Sequence, residues 1–104
     1  MVSRAGPDRG ILDAGSKTLT SDTGGGLDGH GLILEHPEAK IARFAEEHGF
    51  LDLKACNDRP KVGDVVRIIP NHVCVVVNMV ERLIATRGDE IVGEIPVAAR
   101  GKIS

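Results

Sequence analysis

Apolar residues in this chain fall in short runs, and the spacing within each run predicts an element. Ile11-Leu12-Asp13-Ala14-Gly15-Ser16-Lys17 reads as a short strand running into a turn. Gly31-Leu32-Ile33-Leu34-Glu35-His36-Pro37 is a second short strand, stopped by its proline. In residues 65–69 the apolar positions alternate with Arg67, which predicts a third strand. Near the end, Arg82-Leu83-Ile84-Ala85-Thr86-Arg87 and Glu90-Ile91-Val92-Gly93-Glu94-Ile95 flank Gly88-Asp89. Gly-X between β-branched segments is the signature of a type II′ hairpin. Residues 38–53 support two readings. Ile41, Phe44, Ala45 and His48 fall at helical spacing and predict a helix, yet Lys40-Ile41-Ala42-Arg43-Phe44 also alternates.

The longest apolar run, Ile68-Ile69-Pro70-Asn71-His72-Val73-Cys74-Val75-Val76-Val77-Asn78, carries a histidine and a cysteine two positions apart. If the run is extended, His72 and Cys74 project on the same side. The segment after Pro70 could equally be a short irregular or helical turn, and the same-face argument holds only for the extended form. Imidazole nitrogen and thiolate sulfur both ligate zinc, at roughly 2.0–2.3 Å. Two protein ligands leave the other tetrahedral positions open, as a catalytic metal requires. Against this stands a packing reading, in which Cys74 is a small buried hydrophobe and His72 a hydrogen-bonded core residue. A structural zinc site shows four ligands, often as two close pairs. No second pair is present: Cys56 stands alone, and His30, His36 and His48 are scattered.

Composition narrows the class. A chain of 104 residues is one domain, 1–104, with a modest core. Aromatic residues amount to 2%, Phe44 and Phe50, so that core must come from Val, Ile, Leu and Ala. Thirteen glycines point to turns and loops rather than long helices. Residues 23–31 hold the densest glycine, but without a Walker lysine or a strand–GxGxxG–helix context they read as a flexible loop. The formal net charge is -2 with both signs interleaved, which offers no footprint for nucleic acid or an anionic membrane. Two cysteines make no disulfide framework and fit a reducing compartment. No apolar run approaches the ~20 residues of a bilayer span, and Met1 to Pro7 lacks a signal-peptide layout. The expected location is cytoplasmic.

Several separate motifs agree on a family. Ile11-Leu12-Asp13-Ala14-Gly15-Ser16-Lys17 is followed by Glu46-Glu47-His48-Gly49. Lys61-Val62-Gly63-Asp64 then leads into Ile69-Pro70-Asn71-His72-Val73-Cys74, and Pro96-Val97-Ala98-Ala99-Arg100-Gly101 closes the series. In this order and at these spacings the chain, from about Val2 onward, resembles the C-terminal domain of the D-serine dehydratase/D-threonine aldolase family. These are alanine-racemase-like (fold type III) enzymes that use pyridoxal phosphate and a divalent metal.

The resemblance implies a mainly β, barrel-like domain with little helix. It turns residues 38–53 from the helix of the periodicity into a strand leading to the Glu46-Glu47-His48-Gly49 turn. It also implies zinc or another divalent metal at His72 and Cys74, with pyridoxal phosphate present only in a full-length enzyme. The Schiff-base lysine lies on an N-terminal barrel, so Lys17 is not that lysine, and the chain alone is expected to be inactive. Its start at a methionine is read as an internal start or a truncated frame. The implied partners are that barrel and, at full length, a second copy in a homodimer.

The substrates so implied are β-hydroxy-D-amino acids, cleaved by dehydration or by aldol cleavage. Cys74 looks more like the dehydratase pattern, since some aldolases of the family carry aspartate there, and a thiolate favours zinc. The alternative is a non-catalytic β-rich module that binds zinc or a protein. Four further residues keep local readings. Asp13 and Lys17 can form an ion pair, His48 either lines a site or is an exposed turn residue, and Cys56 is a packed free thiol. His30 stands where the family more often carries an aromatic residue.

Overall fold

The computed structural model describes residues 1–23 and 26–102, so Gly24 and Gly25 of the glycine-rich loop lie outside the described residues. The chain runs β1 (Arg9–Leu12), α1 (Ser16–Leu19), β2 (Leu32–Ile33), β3 (Lys40–Phe44), β4 (Gly49–Asp52), β5 (Ile68–Ile69), α2 (Val73–Asn78), β6 (Arg82–Arg87) and β7 (Glu90–Pro96). The mainly β expectation holds, with four residues in α1 and six in α2 as the described helix. The described strands pair antiparallel in three separate sheets, ordered β1-β4-β3, β2-β5 and β6-β7.

The three-stranded sheet carries the core. Gly10 and Leu12 of β1 and Gly49 and Leu51 of β4 alternate inward, as a half-buried strand requires. In β3 the register slips between Ile41 and Arg43, a bulge at Ala42 that leaves Ala42 and Arg43 both on the outer face. There the Arg43 guanidinium lies 3.8 Å over the Phe50 ring. Leu12, Ile33, Ala39, Ile41, Leu51, Leu53 and Cys56 pack together, and Met1 covers them by lying across Gly10. Residues 38–53 are therefore a β-hairpin. The helical periodicity is overruled by pairing across sequence, with Lys40 opposite Asp52, Ile41 opposite Leu51 and β1 closing the other edge.

Two expectations need correction in extent. Residues 65–69 were expected to be a strand, but only Ile68–Ile69 pairs, and Val65 is 89% exposed. The partner strand explains this. After Ile33 the chain turns through His36 to Ala39 ahead of the β3 ladder, so pairing ends with the Leu34 N–H donating to the Arg67 carbonyl at 3.0 Å. Asp13 and Lys17 do not pair either. Lys17 reaches Glu47 at 2.7 Å and Glu46 at 3.3 Å instead. The Gly88-Asp89 hairpin is as expected: Arg87 pairs with Glu90, Gly88 has φ +62°, and Asp89 is not among the positive-φ residues, which fits type II′ and excludes type I′.

Burial is uneven along the chain. No described residue beyond Pro60 is buried. Ile84, Ile91, Val92 and Ile95 of the β6–β7 hairpin are each about half exposed or more, and Val73, Val75 and Met79 around α2 are exposed too. The hairpin packs mainly on itself, and the Cα radius of gyration is 14.6 Å, against about 13 Å for a compact domain of this length.

Gly15 seats α1. A Cβ there would stand 2.4 Å from the carbonyl oxygens of Ala45 and Glu46, which are backbone atoms that cannot step aside. Those same carbonyls accept from the Ser16 and Lys17 N–H groups at 3.0 and 3.2 Å, satisfying donors that open the helix. Gly15→Ala is therefore expected to cost about 1–3 kcal/mol, the range for overpacking a tight site. An unchanged thermal midpoint would contradict this.

Between β2 and β5, Glu35 takes the Arg67 side chain at 2.6 Å and the Arg67 N–H at 2.8 Å. These bonds hold its carboxyl down to about 2, from an ordinary 4.5. A folded value below the unfolded one stabilises above about pH 4.5, and that contribution is lost as pH falls towards 2. The thermal midpoint of Glu35→Gln should thus lie below wild type above pH 4.5 and converge on it near pH 2. Parallel curves over that interval would show that the pair contributes nothing.

Candidate metal centre

The run from Pro70 to Asn78 does not continue as a strand. His72 is extended, at φ −143° and ψ 104°, and from Val73 the backbone is helical, which makes His72 the N-cap of α2. The same-face argument for an extended run therefore does not apply: the backbone changes conformation between His72 and Cys74. Valine and cysteine are weak helix formers, so the cause lies in tertiary contacts. The Asn71 amide donates to the carbonyls of Asp22 at 3.1 Å and Gly29 at 2.8 Å, pinning the entry of α2 to the loop after α1. The other end is tied by Asn78, whose side-chain oxygen accepts from the Gly101 N–H at 2.9 Å.

His72 is exposed, with Nδ1 2.7 Å from an Asp22 carboxylate oxygen. Cys74 is exposed as a free thiol in the first turn of α2. Among the described residues, no group of three or more His, Cys, Asp or Glu side chains gathers at metal-binding distances. The two candidate ligands thus sit at one helix entry, with one carboxylate behind the imidazole. Sequence reasoning missed Asp22. It lies 50 positions from His72 in a loop without periodicity, and no local signal in the sequence marks it.

The other singled-out residues fall elsewhere. His48 is exposed in the β3–β4 turn, where its carbonyl accepts from the Ala45 N–H at 2.9 Å. Asp13 is exposed at the end of β1. His30 packs against Phe44, with ring centroids 4.9 Å apart and the planes tilted by 41°. Cys56 is buried in the core, and burial first, then the Glu38 carboxylate, pushes its thiol up. One open cleft, about 610 Å³, lies between residues 5–11 and the Arg43–Phe50 face, away from His72. A second hollow of about 590 Å³ runs from Lys40 and Lys54 to Asn71, beside the helix entry.

Comparison with known proteins bears on the family and the fold. The family model described as "Putative serine dehydratase domain" matches residues 1–86. An uncharacterized protein of Mycobacterium tuberculosis (strain ATCC 25618 / H37Rv) is 38% identical over 99 residues, 95% of this chain and 74% of that protein. D-threonine aldolase of Arthrobacter sp is 32% identical over 102 residues, 97% of this chain but only 25% of the enzyme. The crystal structure of D-threonine aldolase from Filomicrobium marinum superimposes with a TM-score of 0.81 at 28% identity. That match covers 99% of this chain and 27% of the aldolase chain.

The two thiols should differ sharply in reactivity, because the thiolate is the nucleophile and access controls the rate. Iodoacetamide followed by mass spectrometry is expected to label Cys74 first and Cys56 only once the chain is unfolded. Equal labelling under native conditions would mean that the core around Cys56 is open.

Proposed function

Since this chain belongs to the serine dehydratase domain family, we propose that it is the C-terminal, metal-carrying domain of a pyridoxal-phosphate- and metal-dependent lyase of β-hydroxy-D-amino acids. The observation that carries this reading is the match of 99% of the chain to D-threonine aldolase at TM-score 0.81. The chain spans about a quarter of that enzyme, so residues 1–104 are read as one domain that works beside an N-terminal barrel. The apolar residues left exposed on α2, β6 and β7 supply a surface for such a partner or for a second copy.

The donors suit zinc. One imidazole and one thiolate from His72 and Cys74 are N/S ligands of the right softness, and the Asp22 contact leaves the His72 Nε2 lone pair for a metal. A zinc ion held there supplies Lewis acidity to a β-hydroxyl oxygen. The chain's own part is to fix two ligands on a helix entry braced by Asn71 and to leave the remaining positions for substrate or water. Pyridoxal phosphate would come with the barrel, where the family resemblance puts the Schiff-base lysine.

A second reading, a stand-alone zinc- or protein-binding module, is favoured by the mycobacterial relative. This chain spans 74% of it, and the remaining quarter is far shorter than the roughly 200 residues of a small (β/α)₈ barrel.

Zinc titration with proton counting tests the site. Binding near one equivalent with proton release is expected, because the thiol must ionise. His72→Ala and Cys74→Ser should each abolish binding, and Cys56→Ser should leave it intact. Were Cys56→Ser as damaging as Cys74→Ser, the site would be a different one. Were neither His72 nor Cys74 needed, the packing reading would win. The two functional readings separate in a chimera carrying this chain in place of the matching part of the Filomicrobium marinum aldolase: metal-dependent cleavage of D-threonine supports the lyase domain, and its absence supports the module.

A further inference from the structure

Resting on the reading of His72 as a metal ligand, we propose that Asp22 is the positioning residue of that ligand. Its carboxylate holds the imidazole as the Nδ1–H tautomer and thereby leaves the Nε2 lone pair to a divalent cation.

The chemistry of the contact fixes the tautomer. An ionised carboxylate can only accept a hydrogen bond, so at 2.7 Å from Asp22 the His72 Nδ1 must be the donor. A neutral imidazole with its proton on Nδ1 has its free lone pair on Nε2. Flipping the ring to offer Nδ1 instead would break this bond. Metal-bound histidines regularly carry such a partner on the other ring nitrogen.

Several anchors hold Asp22 in place. Its carbonyl accepts from the amide of Asn71, the residue before His72, at 3.1 Å. Its N–H donates to the Thr20 hydroxyl at 3.3 Å. Thr20 is buried and sits at φ 60°, ψ 144°, a conformation that β-branched residues avoid, and it redirects the chain as it leaves α1. Stability does not account for the Asp22–His72 pair itself. The two side chains are 45% and 40% exposed, and pairs this open to water contribute little to folding. What the contact does fix is the orientation of one ring.

The test uses the full chain with zinc as the probe. In metal-free wild type, at a pH where the ring is neutral, ¹⁵N NMR of the His72 imidazole should show the Nδ1–H tautomer. Asp22→Ala should lose that signature and bind zinc about 10–100-fold more weakly, the range for removing an outer-shell partner. Asp22→Asn, which keeps the shape but not the charge, should fall between the two with an unchanged thermal midpoint. The proposal is overturned if metal-free His72 carries its proton on Nε2. It is also overturned if Asp22→Ala binds zinc like wild type while His72→Ala and Cys74→Ser do not. If those two variants retain zinc as well, the metal-ligand reading itself falls, and the positioning role with it. The wild-type NMR measurement decides even if a variant fails to fold.

Discussion

Where Gly15 passes beneath the carbonyls of Ala45 and Glu46 there is no room for a side chain, and the seating of α1 depends on that approach. Two backbone segments can come this close only if one lacks a Cβ. Once they do, the opening N–H groups of α1 find acceptors in the β3–β4 turn, and Lys17 reaches the two carboxylates of Glu46 and Glu47. Gly49 repeats the arrangement from the other side, since a Cβ there would meet the Ala14 carbonyl at 2.9 Å. The fixed helix α1 then packs against α2 and sends the chain through Thr20 to Asp22. A constraint at one glycine in the first motif thus reaches the histidine of the longest apolar run.

The same structure divides into a part that buries its apolar residues and a part that does not. Ile33, Ile41 and Leu53 are fully enclosed, whereas Ile91, Ile95, Val73 and Met79 are more than half exposed. Apolar surface left in water forgoes about 25 cal/mol per Å². Several such residues on one hairpin and its adjoining helix are what a domain presents when another surface covers it. The hairpin is well formed without that cover because its stability is local: a two-residue turn of the right type and a ladder from Arg82–Pro96 to Arg87–Glu90.

Legibility in the sequence followed this division between local and distant causes. The β6–β7 hairpin was readable because Gly88 alone supplies the backbone conformation its turn needs. Residues 40–52 were misread by periodicity, since their hairpin depends on pairing with β1 and on a bulge that no three-residue pattern encodes. The family motifs corrected that reading, because they carry information about pairing that spacing lacks. Val65 looked like strand by residue type but has no partner, as β2 is only two residues long. At the candidate site the sequence could name two candidate ligands but not their setting. A run of valines reads as extended, and only Asn71, bonded to carbonyls at Asp22 and Gly29, shows why it enters a helix.

The helical entry changes what the His-X-Cys spacing means. On a strand, residues two apart share a face simply by the pleat, and the spacing alone would bring the ligands together. In a regular helix the same spacing would turn them away from each other. His72 is the cap, still extended, and Cys74 is already in the first turn, so neither rule applies to the pair unchanged. The relative aim of the two donors therefore depends on how the cap is held, which places the burden on Asn71 for the backbone and on Asp22 for the ring. On the proposed reading, His72 and Cys74 supply two ligands where a closed structural zinc site needs four, which leaves the remaining positions to substrate or water.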